Sequence, residues 1–327
     1  MKTYSQLPSW NNYKALVARR FGISILREPK ESSMPIRGHD IHLDTWEPDA
    51  PPRGTIVLVH GGGGHGRILA PLGDAVAALG WRAIAPDLPG YGLSTPAPGF
   101  RWEYEEWPAV VAEVANRVSG PVVLFGLSVG GLTAALAATH ARSVAGVIAT
   151  TLLDMGDRAI FARSARWKWL GHASIVGFSA LPSILDRVAL PLWLAAPLDK
   201  MSRDVEVAAY FRRDPLLGRL KVPTRFFRTL HACKVGALAL PCPLLLVHPG
   251  ADDWTPTALS QAVFDRIETP KTFRELSNGS HLPLEQPAYK ELMAAVEEWL
   301  KPLSETEQMK APAKAWGQHA VSDITPS

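Results

Sequence analysis

An α/β fold with a mostly parallel central sheet is the class this sequence predicts, and three observations predict it. Apolar, strand-length runs at 55–60, 82–85, 121–125, 144–150, 244–248 and 272–276 alternate with segments of helical period. Between the first two runs, Leu69, Leu72, Val76 and Leu79 share one face of a 3.6-residue repeat, and Gly80 stands where a left-handed stop belongs. A crossover helix joins those strands. Ahead of them, residues 40–46 set Ile41, Leu43 and Thr45 against Asp40, His42 and Asp44, the alternation of a half-buried antiparallel strand.

The alternation lapses over residues 154–235, a stretch too long for a simple loop, which contains Trp167, Trp169 and Trp193. It reads as an inserted cap, leaving 1–153 and 236–301 as the core. Its 14 Lys+Arg against 7 Asp+Glu make it the basic part of the chain. A solvated face is the plain explanation, and weak contact with a membrane surface or lipid the functional one. Near the end, Leu292, Val296, Trp299 and Leu300 form a helical stripe that closes at Pro302, and 302–327 reads as a disordered tail.

Composition narrows the function. With 327 residues, 47% of them hydrophobic, the chain buries a full core. Lys+Arg 34 against Asp+Glu 31 is too even a balance for a nucleic-acid binder, so a small-molecule ligand is expected. Cys233 and Cys242 match no disulfide framework or zinc pattern, and no other metal or cofactor signature is present. Residues 1–21 show neither a signal peptide nor a spanning helix, which predicts a soluble cytoplasmic protein.

The chemistry sits in four places. Gly126-Leu127-Ser128-Val129-Gly130 joins an apolar strand to a helix-like segment, the setting in which a tight turn holds a serine hydroxyl above a sheet edge. Such a hydroxyl needs a base held by a carboxylate. His281 lies in a small-residue turn between the last strand and the last helix. His140, His172, His231 and His248 compete with it but lack that strand-then-loop position. After the strand at 244–248 come Asp252 and Asp253, of which only one can face the imidazole. His60-Gly61-Gly62-Gly63-Gly64 follows the first long strand, and the N–H groups of Gly62 and Val129 suit an oxyanion hole. A phosphate cradle is disfavoured because Gly-Lys-Ser/Thr is absent.

Together these elements resemble an α/β-hydrolase, and more narrowly the monoacylglycerol lipase and lysophospholipase branch. The likeness rests on His60-Gly61 with the glycines and His65-Gly66-Arg67 after it, on Ala85-Pro86-Asp87-Leu88-Pro89-Gly90-Tyr91-Gly92-Leu93-Ser94, and on the turn around Ser128. It extends to Met201-Ser202-Arg203-Asp204 and Asp214-Pro215, and covers about residues 41–300. The resemblance implies Asp252 as the acid, four residues after His248, although Pro249 replaces the family's usual glycine and keeps Asp253 as the alternative. It also implies hydrolysis of a small-molecule acyl ester through an acyl-enzyme, with Ser128, His281 and Asp252 as triad and no cofactor. Trp167, Trp169 and Trp193 would then line an acyl pocket under the cap. The rival from another class is a binding module that keeps the pocket without turnover. Peptidase or peracid chemistry on the same triad is the nearer alternative.

Overall fold

The computed structural model describes residues 2–233, 235 and 238–310. A helix α1 (Pro8–Phe21) precedes the strands β1 (Lys30–Ile36), β2 (His39–Trp46) and β3 (Thr55–Val59). Then come α2 (Ala70–Ala78), β4 (Arg82–Pro86), α3 (Glu106–Asn116), β5 (Val122–Gly126), α4 (Val129–His140) and β6 (Gly146–Ala149). The stretch after β6 holds α5 (Arg158–Ser164), α6 (Lys168–Ala180), α7 (Pro182–Leu185), β7 (Ala189–Pro191) and α8 (Leu192–Ala195). It continues with α9 (Val205–Arg213), β8 (Lys221–Pro223) and α10 (Thr224–Ala232). The chain returns through β9 (Leu244–His248), α11 (Thr257–Phe264), β10 (Lys271–Glu275) and α12 (Ala288–Lys310).

Eight of these strands form one sheet in the order β1-β2-β4-β3-β5-β6-β9-β10, while β7 and β8 pair separately. Within the eight-stranded sheet, among the described residues, only the β1–β2 and β2–β4 pairings are antiparallel, and from β4 to β10 the sheet is parallel. The central strands Thr55–Val59, Val122–Gly126 and Leu244–His248 are buried at every position, which explains their unbroken apolar sequences. One consequence governs the site: His60, Ser128, Asp252 and His281 all follow the carboxyl ends of parallel strands and come to the same edge of the sheet. Gly80 has φ 83°, as its place after α2 requires.

The structure differs from the sequence reading at three points. On β2, His42 and Asp44 are buried rather than facing solvent. Asp44 meets Arg67, whose guanidinium donates to it in two 2.7 Å bonds and pairs with Glu31 at 3.0 Å, while His42 Nε2 lies 3.0 Å from Glu31, so both residues are partnered within the fold. The second point is α1, which no strand or helix expectation covered. Trp10, Tyr13, Leu16, Val17 and Phe21 bury one face of it. Tyr13 donates to the Ile68 carbonyl at 2.8 Å, and Tyr210 of α9 donates to the Ser9 carbonyl at 3.2 Å. Thirdly, α12 runs through Pro302 to Lys310, correcting a stop at Pro302 and a disordered tail over all of 302–327. Proline's fixed φ suits a helix, and on an exposed face losing one N–H does not end it. Residues 311–327 lie outside the described residues. Among the described residues no helix is long and apolar enough to cross a membrane.

The glycine-rich turn after β3 is fixed by His60. Leu88 N–H donates to its Nε2 at 3.0 Å, so the proton sits on Nδ1 and goes to the Gly61 carbonyl at 2.9 Å. Burial pushes this imidazole down to a pKa of about 4, below its ordinary 6.5. Beside it, Asp87 accepts Gly66 N–H, the Tyr4 hydroxyl and Leu93 N–H at 2.6, 2.8 and 2.7 Å.

Two stability measurements follow from these buried groups. Arg67→Met leaves Asp44 and Glu31 without their cation and should cost about 3–5 kcal/mol, read as a lower urea midpoint at unchanged slope. As pH falls from 6.5 towards 4, the unfolded chain takes up a proton at His60 that the folded chain refuses, so stability drops by roughly 3 kcal/mol over that window. His60→Gln should therefore gain on wild type as the solution is acidified; stability curves that stay parallel across the window would show that His60 does not titrate this way.

Candidate active site

Ser128 stands between β5 and α4 with φ 57° and ψ −133°, a left-handed conformation that L residues rarely adopt. The turn is tight because two neighbours carry no Cβ. A Cβ on Gly126 would meet the Gly130 carbonyl oxygen at 2.0 Å, and one on Gly130 would meet that of Val59 at 2.2 Å. The small residues let α4 begin directly over the sheet, so Val129 N–H is the first of its helix and has no intrahelical partner.

Ser128 Oγ lies 2.7 Å from His281 Nε2, although 153 positions separate the two residues. On the far side of the ring, His281 Nδ1 donates to Asp252 Oδ2 at 2.8 Å, which leaves Nε2 free to accept the serine proton. His281 and Asp252 are 2% and 5% exposed, so this contact is shielded from water, while Ser128 reaches the cavity. Burial alone would raise the Asp252 carboxyl. His281, together with the N–H and hydroxyl of Thr255, outweighs it and holds the group well below the ordinary carboxylate range. The carboxylate also accepts Trp254 N–H and Thr255 N–H at 2.8 and 2.9 Å.

Asp253 points elsewhere. It pairs with Arg203 in two bonds of 2.9 and 3.0 Å on the surface, so its geometry is that of an exposed ion pair rather than a partner of the imidazole. His248 is buried and neutral in character, with Nδ1 bonded to the Pro249 carbonyl at 3.0 Å and Nε2 unpartnered. His231 bonds the Met155 carbonyl at 2.8 Å. Neither touches Ser128. A participant the sequence reading missed is Thr255, whose hydroxyl donates to Asp252 Oδ2 at 2.7 Å and lies 3.2 Å from His281 Nδ1. A threonine three residues past a candidate acid was the available signal.

Above the serine is a cavity of about 110 Å³. Gly62, Val129, Trp254, Thr255 and His281 line its floor, and Met155, Phe161, Leu170, Phe178, Leu192 and Phe226 its walls. Ser164, Ser174 and Thr224 are also on the lining, but their hydroxyls donate to the carbonyls of Ile160, Leu170 and Leu185, which leaves the walls effectively apolar. Trp167, Trp169 and Trp193 are absent from the lining, correcting their expected place in it. On α6, Leu170, Ser174 and Phe178 recur every four residues on the cavity side, which turns Trp169 outwards to 66% exposure. Trp167 stacks on Trp169 at 6.1 Å, and Trp193 packs against Arg212.

The arrangement can accept a hydroxyl proton as the oxygen attacks an electrophilic carbon, with Gly62 and Val129 on the cavity lining beside Ser128. Among the described residues, Glu31, His42 and Asp44 have ligand atoms within 4.8 Å of one another, as metal ligands do. Arg67 supplies the positive charge there instead.

Comparison with known proteins agrees with the fold. A family described as Hydrolase_4, serine aminopeptidase S33, matches residues 50–287. A curated relative, a monoacylglycerol lipase of Mycolicibacterium smegmatis, is 28% identical over 284 residues, covering 81% of this chain and 94% of that protein. Among solved structures, the monoacylglycerol lipase of Paleococcus ferrophilus is similar with a TM-score of 0.60 and 22% identity, covering 80% of this chain and 98% of that one. A soluble variant of the Saccharomyces cerevisiae monoglyceride lipase, solved with a substrate analog, gives a TM-score of 0.68 and 18% identity, over 85% of this chain and 98% of that one. The two structures establish the α/β-hydrolase fold, and with well over half of its length matched to one family, the chain belongs to the Hydrolase_4 (serine aminopeptidase, S33) family.

Proposed function

We propose that the protein is a serine hydrolase that cleaves carboxylic esters of apolar acyl groups, in the manner of a carboxylesterase or monoacylglycerol lipase. The observation that carries this reading is the chain of contacts from Ser128 Oγ through His281 to Asp252, opening into an apolar cavity. In it, Ser128 attacks the acyl carbon as His281 takes its proton, and Asp252 steadies the imidazolium that forms. The oxyanion is held by the N–H groups of Gly62 and Val129, each contributing on the order of 3 kcal/mol. A Cβ at Gly62 would meet nothing within 4 Å, so packing does not demand glycine there, whereas a substrate oxygen approaching the main chain does. His281 then returns the proton to the leaving alcohol, and water repeats the sequence on the acyl-enzyme.

Residues 154–235 act in this reading as a cap, because α5, α6, α8 and α10 contribute the cavity walls. Peptide amines are disfavoured: among the described residues lining the cavity there is no carboxylate to hold an ammonium group. A binding module without turnover would not need the strained Ser128 backbone or the sealed acid behind His281.

Ser128→Ala should remove p-nitrophenyl ester turnover by about 10⁴-fold or more and abolish labelling by a fluorophosphonate probe. Undiminished turnover would refute the reading. Asp252→Asn should lower kcat by about 10⁴-fold, while Asp253→Asn leaves it near wild type; equal losses from the two would reassign the acid. Leu170→Trp fills the cavity and should depress hydrolysis of long-chain p-nitrophenyl esters relative to the acetate, an effect that Trp169→Ala should not produce. Equal responses of the two esters would move the acyl group out of this cavity.

A further inference from the structure

Glu285 joins the base loop to the return of the 154–235 segment without touching the imidazole. Its Oε1 accepts the hydroxyls of Ser202 and Ser280 at 2.9 and 2.5 Å, and its Oε2 accepts Ser280 N–H at 3.1 Å. The Ser280 hydroxyl in turn accepts Arg203 N–H at 2.8 Å. On the other side of His281, Leu282 N–H donates to the Met201 carbonyl at 2.9 Å. His281 is thus bracketed by two neighbours, each bonded to residues 201–203. Ser202 and Ser280 are 3% and 2% exposed, so three donors converge in a nearly dry space and one carboxylate accepts them all.

The same short segment reaches the acid. Arg203 pairs with Asp253, next to Asp252, and Gly250 and Ala251 N–H donate to the carbonyls of Asn278 and Gly279 in the base loop. Acid loop, base loop and the return at 201–204 therefore form one hydrogen-bonded unit with Glu285 at its centre.

We propose that Glu285 is a positioning residue: through Ser280 and Ser202 it clasps the base loop to residues 201–204 and fixes the His281 imidazole against Ser128 Oγ. The proposal rests on the triad reading above. A glutamine in this place supplies one acceptor oxygen where the three donors have two, so the clasp loosens without a change of size. A displacement of the order of 1 Å is enough to matter for proton transfer. Because residues 201–204 lie between α8 and α9, the position of the imidazole is also coupled to the placement of that segment.

The test uses the full chain carrying Glu285→Gln, and separately Ser202→Ala, with p-nitrophenyl butyrate as substrate and active sites counted by fluorophosphonate titration. Glu285→Gln should lower kcat per titrated site by about 10- to 100-fold with KM changed by less than about twofold. The acid limb of its kcat/KM profile should move to lower pH, since a loosened imidazole pairs less well with Asp252. Ser202→Ala removes one donor and keeps the carboxylate, so it should give the same profile shift with a severalfold smaller loss, and it carries the test if Glu285→Gln does not fold. A role confined to stability would lower the number of titratable sites and leave kcat per site and the pH profile unchanged, overturning the proposal. Turnover retained in Ser128→Ala would sink the triad reading itself. An inactive Ser128→Ala beside unaffected Glu285 and Ser202 variants would sink only the clasp.

Discussion

The site turns on one short contact, the 2.7 Å approach of Ser128 Oγ to His281 Nε2, and on the parallel sheet that makes it possible. Nothing local brings these groups together. The approach exists because β5 and β10 run parallel with β6 and β9 between them, so that the turns leaving both strands emerge at one edge. A parallel sheet supplies that convergence cheaply: each loop needs only to project beyond its own strand end, and the register of the strands sets the distances. The loops are then free to differ, and here they are held to one another by main-chain bonds rather than by side-chain packing alone.

Much of this was legible in the residues. Central strands declared themselves as unbroken apolar runs, and the turn at Ser128 by two glycines placed where a Cβ would strike a carbonyl oxygen. The choice between Asp252 and Asp253 was not, because adjacent side chains of identical chemistry differ only in direction; their separate partners, His281 and Arg203, become visible in three dimensions. Strand β1 was hidden for another reason. Its sequence KESSMPI is polar and partly exposed, the composition of an edge strand, and its identity comes from pairing with β2. The tryptophans misled because aromatic size suggests a pocket wall, while the four-residue spacing of Leu170, Ser174 and Phe178 on α6 carried the real signal.

Charge is handled differently around Asp252 and around Arg67. Around Asp252 a carboxylate is kept ionised by an imidazole, a hydroxyl and main-chain donors. Around Arg67 the positive charge is permanent, and two carboxylates, Tyr4 and Trp10 close over it, with the guanidinium 5.0 and 4.7 Å from the two ring centres. The first arrangement keeps a carboxylate charged beside the imidazole, and the second removes a cation from exchange altogether. Both lie against turns of the same sheet edge, since Arg67 follows the glycine run that begins after His60.

That second arrangement bears on what counts as the smallest self-sufficient piece of this protein. Tyr4, Trp10, Glu31, His42 and Asp44 all precede residue 50, where the match to the family begins. A fragment trimmed to the shared region would retain Arg67 and Asp87 but lose the groups that neutralise the one and cap the other, along with both antiparallel strands. In this member of the family the amino-terminal fifty residues are therefore structural members of the frame, not an appendage fastened to it.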